Sequence, residues 1–249
     1  MKYLVLTLLL LSFFSVTAQN IQRDTITDFS NTPPDKVIFK SPKGKFYKVD
    51  FIKEAGHSFE PEYNTGLIHN CSDSTFAGSA RKAAKTSIVT AKTENFVTVS
   101  ALIRGLPKDA VIRPKLTSNS KRIALENRNV RLLKDTYLYA FKKESDNDYH
   151  IIIGDNIDPK KATYFNCEIS GLPVPINKVF QTVRKTFEKQ FVQVCNSSYA
   201  VFSANPIKIA IEGSIFFDVD HLPGQIGPIG FQPATTWEIH PITKITFLK

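Results

Sequence analysis

The chain has 249 residues but only three cysteines, Cys71, Cys167 and Cys195. Three are far too few for a disulfide scaffold. Buried thiols are the expected state, with a Cys167–Cys195 bridge as the lesser option. After the first 20 residues there is no run of about 20 consecutive apolar residues, so the mature chain is expected to carry no spanning helix. No GxSxG, P-loop, HExxH or CxxC motif occurs, which removes the best-signposted hydrolase, nucleotide-binding and zinc families. There is also no internal repeat, and acidic residues are scarce beside basic ones.

The one long apolar run stands at the start. Met1 and Lys2 precede YLVLTLLLLSFF, and the small residues of SVTA follow. This pattern is that of a secretory signal peptide cut near Ala18, so the protein is expected to be exported, periplasmic or extracellular. Residues 19–35 then read as a polar leader, 36–128 as a basic β-rich N-terminal region, and 129–249 as the main domain. An apolar fraction of 42% is ample for a packed core.

The net charge of +9 is unevenly placed. From Gln19 to Arg128 there are 18 Lys and Arg against 11 Asp and Glu, and from Asn129 to Lys249 there are 13 against 12. A basic first half suggests a polyanionic partner, nucleic acid or acidic glycan, or else only a solvated face. Within it, GSARKAAKTS brings Arg81, Lys82 and Lys85 together after Gly78, a run that can hold phosphate or be a plain loop. His57 and His69 flank Glu60 and Glu62 without a recognisable ligand spacing.

Residues 36–52 read as a hairpin around SPKG, and ENFVTVSALIRGL as a strand. From Val130 the pattern becomes regular. VRLLKDTYLYAFKKE, YHIIIGD and ATYFNCEIS read as three strands. In PINKVFQTVRKTFEKQFV, Phe180, Val183, Phe187 and Phe191 lie on one helical face, with Pro175 suited to the first turn. IKIAIEGSIFFDVD alternates, with Ile207, Ile209, Ile211, Ile215, Phe217 and Val219 on one side, and WEIHPITKITFL closes the chain as a fifth strand. Three strands, one helix, two strands is the order of the OB-fold, so the expected class is mainly β: a five-stranded OB-like barrel with its helix between strands three and four. A β-sandwich is the runner-up.

In that topology the turn after strand one and the turn between strands four and five share an edge. Asp148, His150, Asp218, Asp220, His221, Trp237, Glu238 and His240 are thus expected to converge on one cleft, with Glu168 on the polar face of strand three. Such a cluster admits three readings. It can ligate a divalent metal through His150, His221, His240, Asp148 and Asp220. It can do acid/base work, since a histidine beside a carboxylate can be tuned near neutrality. Or it can seal the barrel edge by hydrogen bonds. Trp237 is expected in the core.

The blocks ESDNDYHIIIG, YFNCEISGLP, GSIFFDVDH and WEIHP, in this order over Arg128 to Leu248, resemble a family of exported bacterial proteins with an OB-like domain. The same barrel is shared with nuclease-type enzymes. The resemblance therefore implies considering Glu168 and Asp148 in a nuclease-like site, although strands two and three lack the arginines such enzymes use. The reading from sequence is an exported binding module for a polyanion, with two alternatives: a metal-dependent, nuclease-like hydrolase at the His/Asp/Glu cluster, and a structural interaction domain.

Overall fold

The computed structural model describes residues 37–40 and 46–52 by their backbone, and residues 73–191 and 198–248 in full. The signal-peptide run, the polar leader, His57, His69, Cys71 and Cys195 lie outside the described residues. The protein is mainly β. Its strands are β1 (Val37–Lys40), β2 (Phe46–Ile52), β3 (Thr93–Phe96), β4 (Asn129–Leu132), β5 (Tyr137–Lys143), β6 (Tyr149–Gly154), β7 (Tyr164–Ile169), β8 (Tyr199–Val201), β9 (Ile207–Phe217) and β10 (Trp237–Phe247). They lie in the order β1-β2-β8-β5-β6-β7-β10-β9-β4-β3, and β5 also pairs with β9. Five strands, β5-β6-β7-β10-β9, therefore form a ring. Its one parallel junction is β7–β10, where Glu238 faces Asn166 and Ile239 faces Cys167.

Period-2 alternation decides what fills the ring. Ile151, Ile153, Phe165, Cys167, Ile209, Ile211, Ile215, Phe217, Trp237 and Ile239 share one core, each at most 1% exposed. The helix α4 (Lys178–Glu188) packs against β10 and feeds Val183 and Phe187 into the same core. It starts where Asn177 Oδ1 accepts the Val179 N–H at 2.8 Å, an N-cap worth about 1 kcal/mol. Pro175 thus precedes the cap instead of occupying the first turn. Cys167 is a free, buried thiol, and Cys195, its expected partner, lies outside the described residues.

Ile152 breaks the alternation, being apolar on the outward side of β6. It is buried there by Tyr139, Tyr164, Ile226 and Phe231, the last two from the loop between β9 and β10. A strand covered on both faces reads as a continuous apolar run, which accounts for three successive isoleucines. Between β9 and β10 the register shifts twice, between Ile239 and Ile242 and between Ile242 and Lys244. The first shift turns Ile242 inward after Glu238 and His240 have faced outward, and the second restores the original parity for Ile245. Gly213 sits opposite this irregularity, where a Cβ would lie 2.4 Å from Ile239 Cγ2 and from the Pro241 carbonyl oxygen.

Two expected strands are corrected. ENFVTVSALIRGL is a strand only over β3, after which Val99–Arg104 forms a helix, α2, whose N-cap Thr98 accepts the Ala101 N–H at 3.1 Å. The long first strand is two strands, β4 and β5, interrupted at Asp135 with φ of 39°. In the first half, β1 and β2 form the expected antiparallel pair, and β2 continues the sheet through β8. Residues 73–128 contribute β3, α2, two single-turn helices, α1 (Lys82–Lys85) and α3 (Asp109–Ile112), and 3-10 turns at Arg113–Lys115 and Ala124–Glu126. From this segment Val99, Leu102, Ile112 and Leu116 join the core, while Arg81 and Arg122 reach the carbonyls of Phe217 and Ile215 on β9. No helix among the described residues is long and apolar enough to cross a membrane.

Candidate functional site

Strand parity places the polar cluster. Because Tyr149, Ile151, Phe165, Cys167, Trp237 and Ile239 point inward, their neighbours His150, Asn166, Glu168, Glu238 and His240 point outward from three adjacent strands. Glu168 is central: its Oε1 lies 2.8 Å from His150 Nε2 and its Oε2 lies 2.6 Å from His240 Nδ1. His240 Nδ1 is also 3.2 Å from Glu238 Oε1, and its Nε2 is 3.5 Å from Asp148 Oδ2. Asn166 Nδ2 donates to Glu238 Oε2 at 2.8 Å and to Glu168 Oε1 at 3.2 Å. Asp148 is fixed through Oδ1, which accepts the Gly171 N–H at 2.5 Å.

Of the residues expected to converge, Asp148, His150, Glu238 and His240 come together, and Glu168, expected only on the polar face of its strand, lies at their centre. Asp218 and His221 join at the edge: His221 Nδ1 is 2.5 Å from Asp218 Oδ2, and the His221 ring centroid lies 6.5 Å from that of His150. Asp220 does not join. Among the described residues its carboxylate meets the Ser118 hydroxyl, at 3.4 Å. Trp237 is core, packed edge-on against Phe217.

The cluster is not an open cleft. Asp148 and His240 are fully buried and Glu168 and Glu238 are 1% exposed, while the His221 side chain keeps 41% of its surface. The cover comes from the basic first half. Arg122 donates to the carbonyls of Ala84 at 2.6 Å, Ile215 at 2.5 Å and His240 at 3.2 Å, binding α1 to β9 and β10. Arg81 forms a fully buried pair with Glu126, both oxygens at 2.7 Å, with its guanidinium 4.5 Å from the centre of the Phe216 ring. Lys82 is exposed. Lys85 is half-buried, and although burial works against its charged form, the charges of Glu168, Glu238, Asp148 and Asp218 hold it above its ordinary value. Of the phosphate-run candidates, then, Arg81 is buried, Lys82 is exposed and Lys85 is half-buried. Arg122 and Glu126 were not legible as site-forming residues, since nothing in PKLTSNSKRIALENRN shows a periodicity that would assign them a face.

The charges are strongly coupled. Burial works against a charged His240, but Glu168 outweighs it and holds the imidazolium up to about 10. His150 is likewise raised despite burial, by Glu168 and Glu144, the latter 3.1 Å from Nδ1. Burial alone would raise Glu168, yet the two histidines and Lys85 bring it well below the usual range. Asp148 moves the other way, because desolvation exceeds the pull of His240. Glu238 is pushed up to about 7 by burial and by its neighbour Glu168.

Asp148 Oδ2, Glu168 Oε2 and His240 Nε2 are buried without a hydrogen-bond partner, as are Glu144 Oε1 and Asn166 Oδ1 of the same region. The close approach of Glu168 Oε2 to the His240 ring is a charge contact without hydrogen-bond alignment. One ligand atom from each of Asp148, Glu168 and His240 lies within 4.8 Å of the others. Such a grouping of buried ligand-type atoms could hold a metal ion, although the three residues are also in ion-pair contact with one another. Two carboxylate oxygens and an imidazole suit a divalent cation of the zinc or manganese kind. His150 and His221, also expected as ligands, lie beside this group and not within it; His150 is engaged by Glu168 and Glu144. The chain matches no family model, no curated protein and no solved structure.

Proposed function

We propose that this chain is a metal-dependent hydrolase whose cation site, Asp148, Glu168 and His240, lies on the outer face of an OB-like barrel. The OB-like assignment is supported by the strand order around the ring, β5-β6-β7-β10-β9, with α4 inserted between its third and fourth strands in sequence. The observation that carries the functional reading is the convergence of three buried, unsatisfied donor atoms of ligating type. Hydrolysis is the reaction class because a divalent cation, when bound, lowers the pKa of a coordinated water. Glu238, near 7 and 3.2 Å from His240, is suited to accept a proton at neutral pH. The Asp218–His221 pair offers a second, solvent-facing proton relay at the margin of the cover.

The basic excess is a weaker guide to a polyanion partner than its count suggests. Arg81 is consumed by Glu126, Arg122 by three carbonyls, and Arg113 by the carbonyls of Val219 and His221. Export remains part of the proposal on the strength of the N-terminal apolar run alone. The test is uptake of Zn2+, Mn2+ or Ca2+ by the purified, chelator-stripped protein, followed by calorimetry and melting. About one equivalent should bind and raise the melting temperature, and Asp148→Asn, Glu168→Gln and His240→Gln should each abolish the response. Absence of uptake of all three cations, with melting unchanged by chelator, defeats the reading.

A further inference from the structure

The outer side of α4 carries charge of one sign. Lys178, Lys185 and the C-cap residue Lys189 are exposed and recur at intervals of seven and four, which sets them in one stripe about 16 Å long. The stripe lies opposite the buried side of the helix, Phe180, Val183, Arg184 and Phe187. Its own helix offers no counter-charge. Residues 170–191 contain a single acidic side chain, Glu188, which turns back to Arg184 Nε at 3.3 Å and accepts the Tyr149 hydroxyl at 3.1 Å. Among the described residues none of the three lysines makes an ion pair. The segment leading into the helix is apolar and bare: Val174 is 82% exposed, Ile176 56% and Val179, in the first turn, 39%. Apolar side chains exposed singly need no explanation, whereas three within six positions form a patch. The face is also firmly held, since Arg184 Nη1 donates to the carbonyls of Asn147 at 2.8 Å and Ser170 at 3.2 Å from its inner side.

We propose that this face, from Val174 to Lys189, docks on an anionic lipid surface, with Val174, Ile176 and Val179 entering the boundary between headgroups and acyl chains and the three lysines lying among acidic headgroups. The combination of the two features selects the partner. A basic stripe alone would serve any polyanion, but a soluble acidic polymer has no apolar phase to take up bare aliphatic side chains. Nor does the face suit nucleic-acid bases, because the large hydrophobic side chains left exposed among the described residues are all aliphatic and give no stacking platform. A second copy of the chain, docked here about a twofold axis, would set the lysine stripe against itself. A bilayer of acidic lipids offers an apolar phase and negative charge side by side, and each lysine near its surface adds to the attraction. Because the apolar side of α4 already fills the core, the loop before the helix supplies the inserted residues, and the contact is peripheral and reversible. This surface is independent of the metal reading.

The experiment sediments the full chain with vesicles of phosphatidylcholine, with and without phosphatidylserine. The protein should pellet with the acidic vesicles and stay in solution with the neutral ones, and added salt should release it. Changing Lys178, Lys185 and Lys189 together to glutamine should weaken binding about a hundredfold, about fivefold for each lysine. Val174→Ser combined with Ile176→Ser should weaken it about tenfold, with melting unchanged because both side chains are exposed. In Val174→Trp the emission of the introduced indole should shift to the blue when acidic vesicles are added, while Trp237, buried in the core, does not respond. Absence of binding to acidic vesicles overturns the inference, as does wild-type binding in the lysine variant. Wild-type binding in the Val174/Ile176 variant, with no blue shift in Val174→Trp, would mean that charge alone is read and that the partner is a soluble polyanion, which also overturns it. Metal uptake by all these variants should match wild type, so the outcome here and that of the metal test are read separately.

Discussion

Substituting Arg81 by methionine tests whether the first half is fastened to the five-stranded ring by a buried ion pair. In the wild-type protein the guanidinium gives two hydrogen bonds of 2.7 Å to Glu126 and a third of 2.7 Å to the Phe217 carbonyl. Two longer ones, 3.1 and 3.0 Å, reach the carbonyls of Ser120 and Lys121. Both side chains of the pair are fully buried, and removing one partner of such a pair costs about 3 to 5 kcal/mol. Glu126 would not be wholly abandoned. Its Oε1 still accepts the Phe217 N–H at 2.9 Å and its Oε2 the Ile123 N–H at 2.7 Å. Methionine also keeps most of the apolar contact with Phe216. The lower end, about 3 kcal/mol, is therefore expected, which for a chain of this size lowers the melting temperature by about 6 to 12 °C. Denaturant melts of Arg81→Met, Glu126→Gln and the double variant close a cycle, whose coupling energy should be at least about 2 kcal/mol. A coupling near zero, or a single variant within about 1 kcal/mol of wild type, would show that the pair does not fasten the cover, and the account of how the cluster is buried would be wrong.

Two further outcomes follow from the site and the ring. The hydrogen bond to Asp218 raises His221 above its ordinary value, with burial opposing, while His221 pulls Asp218 down against the effect of its own burial. The histidine's contribution to stability is then full below about 6.5 and lost as pH rises through its higher folded value; the aspartate's is present above about 3.9 and lost as pH falls through its lower one. In Asp218→Asn the NMR titration midpoint of His221 should drop toward 6.5, and a midpoint that does not move refutes the pairing. Gly213→Ala should cost about 1 to 3 kcal/mol by overpacking, since its Cβ would sit 2.4 Å from the Pro241 carbonyl oxygen and from Ile239 Cγ2. A melting temperature within about 1 °C of wild type would mean that β9 and β10 do not cross as closely as described.

The ring was legible because its strands each bury one face. IKIAIEGSIFF and WEIHP alternate, and the helix carries Phe180, Val183 and Phe187 at helical spacing, so local pattern and tertiary environment agree. Element order suggested a closed ring and so brought His150 and His240 to one edge, but the central place of Glu168 follows from the outer face shared by β6, β7 and β10, which the sequence reading did not use. The errors arose where a local device overrode composition. Val97 to Ile103 is rich in β-branched residues, yet Thr98 caps a helix whose Val99 and Leu102 are buried at a spacing of three. Lys134 and Asp135 lie inside an apparently continuous strand, yet Asp135 adopts a left-handed conformation and divides it. The enclosure of the cluster was hidden for a different reason. It depends on Arg81, Arg122 and Glu126, long side chains in an aperiodic segment, and their partners Phe217, Ile215 and His240 lie about 90 to 140 residues away in sequence. No short-range pattern encodes such contacts.

Arg122 has one guanidinium for three segments, holding the carbonyls of Ala84, Ile215 and His240 together. Peeling the short α1 turn away from the sheet would withdraw part of the anchorage of His240's own backbone, so access to the interior and the alignment of that imidazole are a single variable. Whatever fixes the imidazole must, by thermodynamic reciprocity, make the turn harder to lift. Amide exchange at Lys85 and Thr86, on the far side of the guanidinium, would then register events at His240 without any probe touching it.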